Sequence, residues 1–262
     1  MSPRITIIRF LTVLALVFAP LLPMASGEVT LPSEPTGTAD LQRLIAQLGN
    51  AKFAVRKSAS DQLAKIGLPA YQALEDATRD GDREIRYRAE KLLSLIRQND
   101  LNRRLTIFLA SLDSPEDRTL PSWSRFKAAY GNSATTRSLF VEMQRAEGEL
   151  LAQLHNEPRQ ATELLGKKAL EYASDLNRLN REKGSLPLGQ IAAVFFVAGE
   201  PDVKPSSNTV ALLLQFGTQP VIRELAPLTN TTDKETTDKV TAVRKLLGTV
   251  ITRAEGVATQ QA

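Results

Sequence analysis

The sequence predicts an all-α protein in which two similar helical hairpins continue into a C-terminal multi-helix bundle. Apolar residues recur every three or four positions along most of the 262-residue chain, which is the spacing of one face of an α-helix. The positions expected to face the core repeat thirty residues later within residues 40–97. No segment keeps the alternating pattern of a half-buried strand.

The N-terminus has the three parts of a secretory signal. Arg4 and Arg9 are the only charges before Glu28, residues 10–19 form a nearly unbroken apolar run, and residues 25–27 are small. A basic start, a short apolar core and a small-residue exit predict a signal peptide over residues 1–27. The expected location of the protein is therefore periplasmic or extracellular, and residues 28–38 are expected to form a flexible linker.

An uncleaved membrane anchor is the alternative for this segment. Residues 5–24 nearly reach the roughly 20 apolar residues that span a bilayer. Pro20 and Pro23 disfavour a continuous spanning helix. A membrane is thus an expected partner only if the N-terminal segment is retained.

Charge and cysteine content exclude several classes of function. The chain has a net charge of +4, and removing residues 1–27 with their two arginines would leave +2. So small a charge creates no field that would steer nucleic acid to the protein, and we expect no nucleic-acid partner. The absence of cysteine excludes thiol catalysis and thiolate metal sites.

The first predicted hairpin begins at residue 39. The apolar pattern of its two helices recurs in the second hairpin. The core-facing residues are Leu41, Leu44, Ile45 and Leu48 in the first helix and Val55, Ala59, Leu63 and Ile66 in the next. Gly67 ends that helix, and Pro69 suits the first turn of another. The matching residues thirty positions later are Leu74, Ile85, Arg86, Ala89, Leu93 and Ile96.

The segments VRKSASDQLAKIG and LPAYQALEDATRDGDREIRYRAEKLLSLI resemble bacterial HEAT repeats of the short, roughly 30-residue type. The family pattern of the second helix is matched by Asp82, Ile85, Arg86, Ala89 and Leu93. The first unit departs from the pattern, because Lys52 stands where the family has Asp. Asn50 or the backbone is expected to cap that helix instead. The resemblance covers residues 40–97 and implies a fold rather than an activity.

From residue 101 onward the chain is similar to the remainder of a group of exported bacterial proteins found mainly in planctomycetes. The segments LPSWSRFKAAYG and RSLFVEMQRAE carry this similarity. It implies no activity, since none is assigned to that group.

Residues 99–256 are predicted to form the C-terminal helical domain, and residues 257–262 a frayed tail. The expected helices cover residues 100–112, 122–130, 133–156, 158–180, 186–198, 208–216, 219–226 and 233–253. The helix over 100–112 is the candidate to cover the open side of the second hairpin. The helix over 186–198 is apolar on all sides, which predicts a place in the middle of the bundle.

The catalytic motifs lack essential parts. His155 is the only histidine, which excludes paired-histidine metal sites, and its place at a helix end suits the helix dipole. Ser124 and Lys127 match S-x-x-K, but the partner motifs of penicillin-recognising enzymes are missing. We therefore expect no catalytic residue, no metal and no cofactor. Trp123 and Phe126 are interpreted as core residues, with a ligand-binding aromatic patch as the alternative.

The helix face opposite the repeat core is the candidate binding surface. Lys57 and Asp61 align with Tyr87 and Lys91 thirty residues later. Stacked repeats present such positions as one surface, the usual binding mode of solenoids. A plain solvated face is the alternative for these residues. Arg56 and Arg86 are expected to form inter-repeat hydrogen bonds, with ligand binding as their alternative.

The sequence thus predicts an exported interaction or scaffold protein without catalytic activity, whose partner is another protein or an envelope component. One alternative is a structural protein held at the membrane by an uncleaved N-terminus. Another is an enzyme or small-ligand handler, by analogy of fold with HEAT-repeat bilin lyases.

Overall fold

The computed structural model describes residues 37–113, 115–181, 185–219, 222 and 234–260. The expected signal segment 1–27 and residues 28–36 of the expected linker lie outside the described residues. So do residues 229–233 and all but two residues of the helix expected over 219–226. The described residues form helices and turns without a strand, which confirms the all-α prediction.

Ten α-helices are described, and they are numbered here in chain order. The first four are α1 (Thr38–Gln47), α2 (Phe53–Ile66), α3 (Tyr71–Ala77) and α4 (Arg83–Ala110). The others are α5 (Trp123–Tyr130), α6 (Ala134–Asn156), α7 (Pro158–Arg181), α8 (Leu188–Gly199), α9 (Ser207–Phe216) and α10 (Lys234–Gln260). Short 3₁₀ turns occupy Leu68–Ala70 and Pro115–Arg118. The last helix runs on to Gln260, into the region expected to form a frayed tail.

Helices α1 to α4 pack as two pairs of consecutive helices, called hairpins below, that contact each other. Helix α1 packs on α2, α3 packs on α4, and contacts also join α1 to α3 and α2 to α4. Gly67, with a φ of 71°, ends α2 in a conformation that side chains rarely adopt. The buried core of this part is formed by Leu44, Leu48, Ala59, Leu63, Ala70, Leu74, Ala77, Ile85, Ala89, Leu92, Leu93 and Ile96. Val55 is half-buried where its counterpart Ile85 is buried.

The turns inside the two hairpins contain equivalent hydrogen bonds, thirty residues apart in the sequence. Asn50 Oδ1 accepts from the backbone N–H of Lys52 at 2.9 Å, and Asp80 Oδ1 accepts from that of Asp82 at 2.8 Å. Asp82 also accepts from Glu84 N at 2.7 Å and so caps α4, whereas α2 has no side-chain cap. Asn50 therefore stabilises the turn before α2 rather than the helix terminus itself.

The residues expected to form a separate covering helix over 100–112 are instead the second half of α4. This 28-residue helix is about 42 Å long at 1.5 Å per residue, so it does not fold back onto the second hairpin. Its first half contributes to the hairpin core and its second half, through Leu105 and Phe108, to the bundle core. The expected boundary between residues 98 and 99 falls within this continuous helix.

The bundle is built around α8, as its uniformly apolar sequence predicts. All residues from Ile191 to Ala198 are buried, and α8 contacts α6, α7, α9 and α10. A cluster of aromatic rings continues this core, formed by Phe108, Trp123, Phe126, Phe140 and Phe196. Trp123 and Phe126 have no exposed area, which confirms that they are core residues.

Arg137 connects the end of α4 to the bundle. It is 1% exposed, and its guanidinium lies 3.7 Å from the centroid of the Phe108 ring. It donates to the backbone oxygens of Phe108 and Leu112 and to the side chains of Asn132 and Asp117. Burial alone would raise the pKa of Asp117, but Arg137 and Lys127 hold it below its ordinary value.

Candidate functional site

The outer side of α2 carries a row of exposed side chains at four-residue intervals. Phe53 is 63% exposed, although phenylalanine usually lies inside. Lys57 and Asp61 form an ion pair of 2.6 Å in which both side chains are exposed. Lys65 completes the row. These residues line an open depression of about 480 Å³ along the helix.

The outer side of α4 carries the corresponding row thirty residues later. Arg83, Tyr87 and Lys91 are exposed, and Leu95 follows with 44% of its surface exposed. The Lys91 ammonium lies 4.5 Å from the centroid of the Tyr87 ring, which is a cation–π contact. Tyr87 itself is 50% exposed, so half of its surface is accessible beside the Lys91 ammonium.

The two rows point to the same side of the hairpin pair. Helices α2 and α4 lie in contact and use equivalent residues, Ala59 with Ala89 and Leu63 with Leu93, for the core. Equivalent outer positions must then face the same way. The eight residues of this surface, called the docking face below, are Phe53, Lys57, Asp61, Lys65, Arg83, Tyr87, Lys91 and Leu95. The structure thus brings together the four predicted binding residues and adds four more.

The two arginines predicted to link the repeats bind mainly within their own hairpins. Arg56 Nη1 donates to the backbone oxygens of Asn50 and Ala51, at 2.7 and 2.9 Å. Arg86 Nη1 donates to those of Asp80 and Gly81, at 2.7 and 3.0 Å. Each arginine therefore holds the turn that precedes its helix.

Arg56 also reaches the neighbouring hairpin. Its Nε lies 3.3 Å from Glu84 Oε1, an ion pair without hydrogen-bond geometry. Glu84 is in turn bound by Arg88 at 2.7 Å. The contact between the two hairpins at this point is thus electrostatic. It holds the Glu84 carboxylate against Arg56 of α2, so this carboxylate does not point toward the docking face.

A second surface depression, of about 650 Å³, lies between the start of α7 and the loop after α8. Its lining is mixed in charge and consists of Pro158, Arg159, Thr162, Glu163, Pro201, Asp202 and Lys204. Within the described ranges, no group of three or more potential ligand side chains is placed to hold a metal ion. Of the helices described, none combines the length and apolar character that crossing a membrane requires.

A buried carboxyl group lies at a break in α6. Glu147 has φ −139° and ψ 43°, which interrupts the helical backbone, and it is 4% exposed. Tyr172 donates a hydrogen bond to Glu147 Oε1. Lys168 Nζ lies 3.6 Å from the other carboxyl oxygen and 3.3 Å from Glu171. Sequence periodicity does not distinguish this carboxyl from those on the solvated side of the helix.

Burial dominates the ionisation of this cluster. It raises the pKa of Glu147 above the ordinary 4.5, and attraction to Lys168 only partly offsets the effect. Burial alone would lower the pKa of Lys168, but the carboxylates of Glu147 and Glu171 outweigh it and raise the pKa. Glu147 is therefore the group of this cluster that couples folding to pH in the acidic range.

The substitution Glu147→Gln is expected to flatten the dependence of stability on pH. The folded protein holds the Glu147 proton more tightly than the unfolded chain, so stability falls as pH rises from about 4.5 through the raised pKa. Glutamine cannot ionise and removes that loss, while its amide oxygen still accepts from Tyr172. Urea unfolding at several pH values measures the free energy of unfolding of the variant and of the parent protein. As pH rises, the variant should become more stable relative to the parent, by up to about 1.4 kcal/mol for each unit by which the Glu147 pKa is raised.

Glu171→Gln is the matched control, because this exposed carboxylate contacts the same lysine. It should keep most of the pH dependence of the parent protein, with a small decrease because the Glu171 charge also helps to raise the pKa of Glu147. Equal slopes for the parent and Glu147→Gln would contradict the assigned role of burial.

No protein-family model, curated protein sequence or solved structure matches the chain.

Proposed function

We propose that this chain is an interaction protein that binds another protein through the docking face. The observation that supports the proposal is the exposure of Phe53, Tyr87 and Leu95 on one side of the hairpin pair. Exposed aromatic residues next to cations are typical of interface anchors, since they bury large areas at little cost in side-chain entropy. Solenoids commonly use such laterally continuous surfaces to bind their partners.

The rigidity of the surface also supports a binding role. The helices that carry it are fixed by the shared hairpin core, and Arg56 and Arg86 hold the turns at their N-terminal ends. A surface fixed before binding loses less conformational entropy when a partner docks. The docking face therefore suits recognition of a partner without a rearrangement of the hairpins.

We further propose that the protein acts outside the cytoplasm, in the periplasm or the extracellular space. Support comes from the N-terminal sequence, with Arg4, Arg9, an apolar run and small residues near Gly27. Mass spectrometry of the mature N-terminus tests this step. A chain that starts at Glu28 is expected, whereas a retained Met1 would favour the membrane-anchored alternative.

Replacing Tyr87 and Lys91 together by alanine is expected to abolish most partner capture. Tyr87 supplies the central aromatic anchor and Lys91 its neighbouring charge, and losing an interface anchor typically costs 2 kcal/mol or more, which is about thirtyfold in affinity. The measurement is quantitative mass spectrometry of proteins captured from envelope extract by the purified chain and by the variant.

The matched control is the pair Lys167→Ala and Leu170→Ala on α7. Leu170 is 58% exposed and Lys167 is exposed beside it, so this variant also loses one large apolar group and one charge. It should capture the same proteins as the parent. Equal capture by the parent and by the Tyr87 and Lys91 variant would reject the docking face.

A further inference from the structure

The docking face has a charge pattern that identifies the chemistry of its partner. Its eight residues include four cations, Lys57, Lys65, Arg83 and Lys91, and one carboxylate, Asp61. The carboxylate is bound to Lys57. The exposed apolar groups, Phe53, Tyr87 and Leu95, alternate with the cations across the two helices. A complementary surface must therefore place carboxylates opposite Arg83 and Lys91 and must also present apolar side chains.

The unpaired positive charge lies on α4. Among the residues that the structure describes, neither Arg83 nor Lys91 has an acidic partner. Glu84, the carboxylate next to Arg83, is bound by Arg56 and Arg88. Lys91 lies over the Tyr87 ring. Both cations can therefore bind a partner's carboxylates without breaking an existing ion pair.

The spacing of these groups fits a helix better than a nucleic acid. Arg83 and Lys91 are eight residues apart on one helix, about 12 Å, and Tyr87 lies midway between them. Carboxylates seven residues apart on a partner helix are separated by about 10.5 Å, with room for two apolar side chains between them. An acidic helix whose carboxylates bind the α4 row stays clear of Asp61 on α2, whereas a phosphate backbone that followed both rows would pass this carboxylate.

We propose that the docking face binds an acidic amphipathic helix of a partner protein. Two carboxylates of this helix bind Arg83 and Lys91, and the apolar pair between them packs on Tyr87, with Phe53 and Leu95 at the two ends. This inference rests on the proposed function and adds the chemical class of the partner.

The probe is a fluorescent 14-residue helical peptide with Glu at positions i and i+7 and Leu at i+3 and i+4. Anisotropy titration should show saturable binding to the parent protein that weakens as salt is raised, because the contact includes ion pairs. Three comparison ligands are the same peptide with Lys for Glu, the same peptide with Ser for Leu, and a single-stranded DNA 12-mer. All three should bind at least about tenfold more weakly.

The protein variant that tests the assigned cations is Arg83→Glu with Lys91→Glu. Two charge reversals should weaken peptide binding at least about tenfold. The matched control is Arg145→Glu with Lys167→Glu, which changes the net charge equally at two exposed cations of α6 and α7. It should change the affinity less than about twofold. Hydrogen exchange of the unmodified protein, with and without peptide, should show protection over residues 83–95.

Each outcome decides the proposal. Absence of peptide binding, DNA binding of equal strength, or equal weakening by the two charge-reversal pairs would overturn the acidic-helix partner. If the Tyr87 and Lys91 variant still loses its envelope partners in that case, the docking face stands and only the chemistry of its partner is wrong. Hydrogen-exchange protection that is confined to residues outside 53–95 would likewise overturn the assignment.

Discussion

Replacing Arg137 by leucine is expected to lower the free energy of unfolding by about 3–5 kcal/mol, the usual cost of removing one partner of a buried ion pair. The guanidinium is 1% exposed and lies beside Asp117, which is itself only 14% exposed. Leucine would leave that largely buried carboxylate without its closest cation, with Lys127 at 3.6 Å as the remaining one. Urea or thermal unfolding followed by circular dichroism measures the loss.

The same substitution also removes the cap of the longest helix. Arg137 donates to the backbone oxygens of Phe108 and Leu112, at 2.7 and 3.1 Å, where α4 ends. Carbonyls in the last turn of a helix have no partner within the helix. Without Arg137 the Phe108 oxygen loses its donor, whereas the Leu112 oxygen still accepts from Asn132 at 2.7 Å. The lost hydrogen bond to Phe108 adds to the cost of weakening the Asp117 ion pair.

Arg145→Leu is the control for this prediction. Arg145 is exposed on the same helix, and no carboxylate pairs with it among the described residues, so its loss should change stability by no more than about 0.5 kcal/mol. A double variant with Asp117→Asn should be less destabilised than the sum of the two single variants. A loss below about 1 kcal/mol for Arg137→Leu would show that the network contributes little.

Gly189→Ala is expected to destabilise the protein by about 1–3 kcal/mol or more, the usual range for overpacking a core. A Cβ atom on Gly189 would lie 2.6 Å from the backbone carbon and oxygen of Glu142. Because these atoms belong to the main chain of α6, no side-chain rotation relieves the overlap. Helices α6 and α8, which form an extensive contact in the bundle, would have to move apart. Chemical unfolding measures the effect.

Gly248→Ala is the control, and it should change the stability of the protein in the opposite direction. Gly248 lies within α10, and a Cβ atom there would meet no atom within 4 Å. Alanine favours the helix over glycine by about 0.8–1.0 kcal/mol, so this variant should be more stable than the parent. Destabilisation of equal size by both substitutions would indicate that glycine serves another purpose at position 189.

Periodicity predicted the helices closely because helix formation depends on neighbours three and four residues apart. The bounds of α2, α6 and α7 differ from the predicted ones by a few residues at most. The apolar character of Ile191–Ala198 was enough to place α8 at the centre of the bundle. For the docking face, the thirty-residue offset identified Lys57, Asp61, Tyr87 and Lys91 as one surface. It did not identify Phe53 or Leu95, which an apolar pattern would assign to a core.

The sequence by itself determined that the chain is helical, where most of its helices lie, and which side of each helix faces a core, since these properties are local. Only the tertiary structure decided that α4 continues from one core into the other, that Arg137 is buried with Asp117, and that Glu147 faces Tyr172 rather than water. The physical reason is that these outcomes depend on which distant residues come into contact. A carboxylate or guanidinium looks the same in sequence whether it is solvated or paired, and the cost of its burial is set by those contacts.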